Sequence, residues 1–187
     1  MRTNTVELRK LIFASLCLSL CLVLPFITGR IPEIGQMFLP MHIPVLICGF
    51  VCGPLYGMSV GFLAPGLNFL ISGARPLMPW IGVSMMFELA VYGMVTGLLY
   101  ALLKKVISKN IINAYISLTA AMLLGRVVYA VVFIRLYSLP NFPPPPFLEA
   151  FSIPGAFLGA VPGIVLQLVL IPLLVIQIDR MGKFSQS

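Results

Sequence analysis

Long runs of apolar residues, separated by short polar or proline-rich segments, fill almost the whole chain. Six such runs lie at about residues 11–27, 38–52, 55–71, 79–103, 111–136 and 153–178. A helix that spans the hydrocarbon core of a bilayer needs roughly 20 apolar residues. The pattern therefore predicts an all-α integral membrane protein, in which residues 1–187 form a single domain of six transmembrane helices.

Proline and glycine residues predict where these helices end or break. The second run is short and carries two prolines near its start, so we expect an irregular outer end. The pair Gly53-Pro54 predicts a tight turn between the second and third helices. The pair Pro65-Gly66 predicts an interruption of the third helix before its outer end. A proline-rich segment, residues 139–146, separates the fifth helix from the sixth.

The composition excludes a soluble or disordered protein. Hydrophobic residues make up 60% of the 187 residues and charged residues only 9%, whereas soluble domains average about 45–50% and about 25%. Disordered chains need low hydrophobicity and high charge. We expect a multi-pass protein of a bacterial-type cell membrane, with the lipid bilayer as its surroundings.

The net charge of +7 is explained by membrane topology and requires no nucleic acid partner. Basic residues collect in the cytoplasmic loops of membrane proteins. With six spans, three basic residues lie on one side, namely Arg30, Arg75 and Arg135. Eight lie on the side of the termini: Arg2, Arg9, Lys10, Lys104, Lys105, Lys109, Arg180 and Lys183. Both termini are therefore predicted to be cytoplasmic.

No pattern in the chain predicts catalysis, a metal site or a cofactor. The four cysteines form two i, i+4 pairs in apolar runs, Cys17 with Cys21 and Cys48 with Cys52. Thiolate metal sites normally use a C-x2-C spacing, so buried free thiols are expected. The chain has one histidine and lacks the glycine-rich phosphate-binding motif of ATPases. We expect a protein that is not an enzyme and has no ATPase of its own.

Two ionisable residues inside predicted spans are the strongest functional signal. Glu88 lies roughly 12–14 Å below the outer end of the fourth span, and Arg126 lies roughly 15 Å below that of the fifth. Such residues are costly in lipid and mark functional sites by default. Their matched depth predicts either an ion pair that locks two helices or a shared cavity. Tyr92 and Tyr129 share a helix face with Glu88 and Arg126, respectively.

Further polar side chains fall in the same outer half of the predicted bundle. These are His42, Asn68 and Trp80, while Gln167 lies near mid-depth in the sixth span. The inner halves of the spans look almost purely apolar, which argues against a channel or a proton relay. The distribution favours a water-filled pocket that opens outward.

Three stretches of the sequence resemble a known family. They are FLPMHIPVLICGFVCGPLYG at residues 38–57, MFELAVYG at residues 86–93 and AVPGIVLQLVLIP at residues 160–172. They resemble the substrate-binding S-components of energy-coupling factor (ECF) transporters. The likeness extends over about residues 8–178, and the predicted size and six spans agree with it.

The resemblance implies a transport role. Such S-components bind a vitamin or related micronutrient with high affinity from the external side. They dock on a shared module of one transmembrane coupling subunit and two ATPase subunits, and are thought to topple in the membrane to carry the ligand inward. The family docks through an A-x-x-x-A stripe on the first helix, which falls here on Ser15 and Ser19 with Ala14 adjacent.

The resemblance also implies where the ligand binds. The family's pocket lies in the outer halves of the fourth to sixth helices, beneath two external loops that correspond to residues 29–36 and 73–80. By this resemblance, the pocket residues of this chain are Glu88, Tyr92, Arg126, Tyr129 and Gln167. A pyridoxine-type ring, pantothenate, and a pterin or deazaguanine all remain candidate ligands. The residues also leave open a standalone secondary transporter, a small membrane enzyme or a purely structural subunit.

Overall fold

The computed structural model describes residues 2–28, 41–71, 79–107, 109–137 and 158–180. All regular secondary structure in these ranges is helical, which confirms the predicted all-α class. The helices are α1 (Arg2–Thr28), α2 (His42–Cys52), α3 (Pro54–Ile71), α4 (Pro79–Leu103), α5 (Asn110–Tyr137) and α6 (Leu158–Arg180).

Four helices contain segments long and apolar enough to cross a membrane. These segments are Thr5–Phe26, Pro54–Ile71, Gly82–Leu103 and Asn110–Leu136. Two shorter apolar segments, His42–Cys52 and Pro162–Val175, belong to α2 and α6. Six membrane crossings and cytoplasmic termini remain predictions from the sequence.

The break between α2 and α3 is present, whereas the predicted break inside α3 is wrong. Gly53 has a φ of 98°, a value that glycine adopts without steric strain, and its N–H donates to the Gly49 carbonyl at 3.1 Å. By contrast, α3 continues through Pro65 to Ile71. Proline is tolerated in membrane helices because neighbouring groups satisfy the freed backbone, and Pro65 is buried.

Prolines also lie within the sixth helix without ending it. The helix α6 contains Pro162 and Pro172 and begins at Leu158. The predicted start of this span, residues 153–157, lies outside the described residues, as does the proline-rich segment 139–146.

The short helix α2 lies at the centre of the described bundle. It contacts α1, α3, α4 and α6, while α4 packs along both α3 and α5. The inward side of α1 contributes Ala14, Cys17 and Cys21 to the core. All four cysteines are buried and free, as the sequence predicts.

Glycines bring the backbones of α2, α3 and α4 into direct contact. A Cβ atom built on Gly57 would lie 2.5 Å from the Gly93 carbonyl oxygen and 2.7 Å from the Cα of Gly49. A Cβ on Gly97 would lie 2.5 Å from the backbone nitrogen of Pro54. Small residues allow such close helix crossings in lipid. At Gly93, the crossing fixes α4 against its neighbours about 7–8 Å from Glu88 along the helix axis, toward the C-terminal end of α4.

Candidate functional site

Glu88 and Arg126 form an ion pair that joins α4 to α5. Arg126 Nη1 lies 3.4 Å from Glu88 Oε1, and the Tyr92 hydroxyl donates a hydrogen bond of 2.8 Å to the same oxygen. The Glu88 side chain is 2% exposed, whereas that of Arg126 is 32% exposed. The carboxylate is therefore enclosed by protein, while the guanidinium keeps part of its surface open.

Tyr92 is held in place by three helices. Its ring packs against Gly125 of α5 so closely that a Cβ at that position would lie 3.0 Å from the Tyr92 Cζ. The ring also packs against His42 on α2, with ring centroids 5.4 Å apart and an interplanar angle of 55°. Both side chains are 2% exposed. The ring thus directs its hydroxyl at Glu88 with little room to move.

Tyr129 lies beside the ion pair on α5. Its hydroxyl is close enough to Glu88 and Arg126 to interact electrostatically with both. The Tyr129 side chain is half-buried, and its ring stacks on Phe133 with centroids 5.9 Å apart and an angle of 14°. The structure therefore brings together Glu88, Tyr92, Arg126, Tyr129 and His42.

The other predicted outer residues do not all join this cluster. Asn68 is buried on α3, and its Nδ2 contacts Met41 Sδ at 3.4 Å, at the N-terminal end of α2. Gln167 is 1% exposed on α6, and its Nε2 has no hydrogen-bond partner in the part of the chain that the structure describes. The side chain of Trp80 and the predicted lid residues 29–36 and 73–78 lie outside the described residues.

Two residues near the ion pair were not singled out from the sequence. Ser84 is fully buried one turn N-terminal to Glu88, on the same face of α4, and its i−4 spacing from Glu88 would have identified it. Gly125 is the other, since it makes room for Tyr92. Only the tertiary contact between α4 and α5 reveals that role.

The expectation that the inner halves of the spans are almost purely apolar is wrong for α4 and α5. Thr96, Asn113 and Ser117 are all fully buried there. Asn113 Nδ2 donates to the Ile107 carbonyl at 2.9 Å, and Thr96 Oγ1 donates to the Tyr92 carbonyl at 2.7 Å. Bonds of this kind from side chain to nearby backbone satisfy Thr96 Oγ1 and Asn113 Nδ2, whereas Ser117 Oγ has no hydrogen-bond partner among the described residues. No group of His, Cys, Asp and Glu side chains within the described ranges could hold a metal ion.

Comparison with known families decides the class of the protein. A family model described as "ECF transporter, substrate-specific component" matches residues 9–176. The chain belongs to this family. As an ECF substrate-specific component it is a multi-pass membrane protein and a transporter subunit, and is not itself an enzyme. Membership implies a small-molecule substrate and a membrane coupling module with ATPases. No curated protein and no solved structure matches the chain significantly.

In this ECF component, the residues predicted for docking lie on two different faces of α1. Ala14 is 5% exposed and packs into the core. Ser15 and Ser19 are exposed on the outward face, and their hydroxyls donate to the carbonyls of Leu11 and Ser15 at 2.8 and 2.9 Å. The two serines therefore present a small surface whose hydroxyls are already hydrogen-bonded. Ala14 is not part of that surface.

Proposed function

We propose that this chain is the high-affinity ligand-binding subunit of an ATP-driven micronutrient importer, with its pocket centred on Glu88, Arg126 and Tyr92. It takes a vitamin or vitamin precursor from the external side. The observation that carries the proposal is the ion pair between a carboxylate that is 2% exposed and a guanidinium that is 32% exposed. Ionisable residues within membrane spans are expensive and are found mainly where function requires them.

The geometry suits ligand binding better than a purely structural lock. A buried ion pair adds little net stability compared with well-packed apolar residues, so stability alone does not account for its presence. The pair has one enclosed partner and one partly open partner. The half-buried Tyr129 lies next to it and offers an aromatic surface. A charged, partly accessible cluster of this kind provides the few fixed polar groups that orient a small ligand.

The partner is a transmembrane coupling subunit that carries two ATPase subunits. Contact with it takes place through the exposed face of α1 around Ser15 and Ser19. This face is apolar apart from the serines, and neighbouring Leu16 and Leu20 are 54% and 42% exposed. Small residues in such a face allow another helix to approach closely.

The binding half of the proposal is tested with Glu88→Gln and Arg126→Met. Each variant removes one member of the pair, so we expect it to lose ligand binding. Each is expected to remain folded and extractable. The measurement is native mass spectrometry of the purified protein, which detects a small molecule retained by the wild type. Glu7→Gln and Arg9→Met are matched controls, since both residues are exposed near the start of α1. If both pair variants retain the same molecule as the wild type, the pocket lies elsewhere.

The docking half is tested with the double variant Ser15→Leu, Ser19→Leu. We expect reduced co-purification with the coupling subunit and reduced uptake, with unchanged ligand affinity. Ser59→Leu on α3 is the control, because Ser59 is also exposed and its hydroxyl also donates to a backbone carbonyl, that of Leu55 at 2.9 Å. Full assembly of the double variant contradicts docking through this face. Uptake by the chain without ATPase subunits would instead indicate a standalone transporter.

A further inference from the structure

We propose that the ligand of this site is a net-neutral, dipolar molecule that donates a hydrogen bond to Glu88 and accepts one from Arg126. Small molecules whose only charge is a carboxylate are excluded. The inference rests on the proposed function, and it identifies the chemical class of ligand that the same site accepts.

Each member of the pair retains bonding capacity. Tyr92 and Arg126 both contact Oε1 of Glu88, and Arg126 does so through Nη1. A guanidinium has five N–H donors, and a carboxylate has about four acceptor positions. An acceptor and a donor are therefore available side by side, and a dipolar ligand can satisfy both.

The site is already charge-balanced. It contains one carboxylate and one guanidinium, so its formal charge is zero. A neutral ligand that bridges the two groups keeps this balance. A ligand with a net charge adds that charge to a poorly solvated site, where an uncompensated charge is strongly unfavourable.

The two partners are unequally buried. An anionic ligand would share Arg126 with Glu88 and weaken the attraction between the guanidinium and the carboxylate. Because Glu88 is 2% exposed, water compensates for this loss poorly. Loss of such a pair penalises binding by about 100-fold. Glu88 therefore lowers the affinity of the site for ligands that carry a carboxylate.

The aromatic residues of the site favour a particular ligand shape. Tyr92 and His42 are too buried to offer an open ring face, whereas Tyr129 is half-buried beside both charges. Aromatic rings pair with other rings in stacked or edge-on geometry. A small heteroaromatic ring with hydroxyl or amino donors meets all these requirements, as pyridoxine and pterins do. Pantothenate, with its free carboxylate, does not.

The test compares two probes on the full-length protein in detergent or nanodiscs. Pyridoxine serves as the neutral dipolar probe and pantothenate as the carboxylate probe. Trp80 is the only tryptophan in the sequence, so its fluorescence reports binding without a label. We expect the wild type to bind pyridoxine at least about 100-fold more tightly than pantothenate.

Substitutions then test whether Glu88 and Arg126 cause the preference for pyridoxine over pantothenate. In Glu88→Gln, pyridoxine affinity is expected to fall while pantothenate affinity rises at least about tenfold, because Arg126 becomes an uncompensated cation. The double variant Glu88→Gln, Arg126→Gln is the charge-neutral control and is expected to lose that gain. The inference is overturned if the wild type prefers pantothenate or if Glu88→Gln leaves the preference unchanged.

Native mass spectrometry separates this inference from the proposed function. A retained ligand of zero net charge supports both. A retained anion or cation overturns the inference while the proposed binding function stands. If the purified protein retains no small molecule and binds neither probe, the proposed function itself fails.

Discussion

Replacing Gly125 with alanine tests whether the position of Tyr92 controls the site. Gly125 is buried on α5, and the Tyr92 ring occupies the space where a side chain at this position would begin. An added methyl group would lie 3.0 Å from Tyr92 Cζ and closer still to Cε1 and Cδ1, whereas ordinary contacts start at 3.4 Å. The ring also packs against His42. Gly125→Ala therefore forces either the ring or the helix to shift.

The magnitude follows from the hydrogen bond that the ring carries. A displacement of about 1 Å takes the contact from Tyr92 Oη to Glu88 Oε1, now 2.8 Å, beyond the usual O–H···O range of about 2.5–3.0 Å. A hydrogen bond to a charged group contributes about 1.5–3 kcal/mol. Since about 1.4 kcal/mol corresponds to a tenfold change in affinity, we expect ligand binding to weaken by about 10- to 100-fold. Overpacking lowers stability by a further 1–3 kcal/mol, roughly.

The assay is a titration with pyridoxine followed by Trp80 fluorescence, together with a thermal unfolding curve. Gly82→Ala is the matched control, because among the described residues a Cβ there meets only Phe69 Cδ2, at 3.8 Å. It is expected to behave like the wild type in both measurements. Gly125→Ala is then combined with Tyr92→Phe, which removes the hydroxyl itself.

The combined variant distinguishes a specific effect from general damage. If Gly125→Ala acts by moving the Tyr92 hydroxyl, it should weaken binding little further once that hydroxyl is absent, since coupled residues are not additive. Wild-type affinity in a folded Gly125→Ala protein would refute the reasoning. The reasoning would also be refuted if Gly125→Ala weakened binding as strongly in the Tyr92→Phe background as in the wild type.

Three further predictions concern the rest of the bundle. Gly93→Ala is expected to lower the unfolding temperature markedly compared with Gly82→Ala, because its methyl group would meet the Gly57 backbone; wild-type stability would contradict the close crossing. Asn113→Ala removes the hydrogen bond to Ile107 and should lower stability by about 1 kcal/mol in denaturation curves, with ligand affinity unchanged. The four buried cysteines should resist maleimide labelling until denaturant is added, and rapid labelling of native protein would refute their burial.

Residue spacing along single helices predicted much of the site. Counting residues from the helix ends placed Glu88 and Arg126 at similar depth, and the two side chains do meet at 3.4 Å. The i, i+4 spacing placed Tyr92 on the face of Glu88, and its hydroxyl reaches that carboxylate. These relations depend only on the helix repeat, which the sequence carries directly.

Residue spacing along a single helix did not predict the contacts between helices. The role of Gly125 depends on which residue of α4 faces it, and no periodicity within α5 contains that information. The prediction of a break at Pro65 was wrong because it considered the chain alone. In the structure, α3 continues through Pro65 and packs against α2 and α4. The same limit applies to Ala14 and Ser15, which are adjacent in sequence, although Ala14 is buried and Ser15 is exposed.

The packing of the helices explains why ligand binding and docking should be separable. The ion pair lies between α4 and α5, whereas α1 packs on α2 and α3. The two regions are connected through the glycine crossing, in which Gly57 and Gly93 bring the backbones of α3 and α4 together. A substitution at Ser15 or Ser19 changes a surface that points away from this crossing, so it leaves the geometry of Glu88 intact. A substitution at Glu88 leaves the α1 surface unchanged for the same reason. Loss of both functions from either substitution alone would mean that the crossing transmits the change between the two regions.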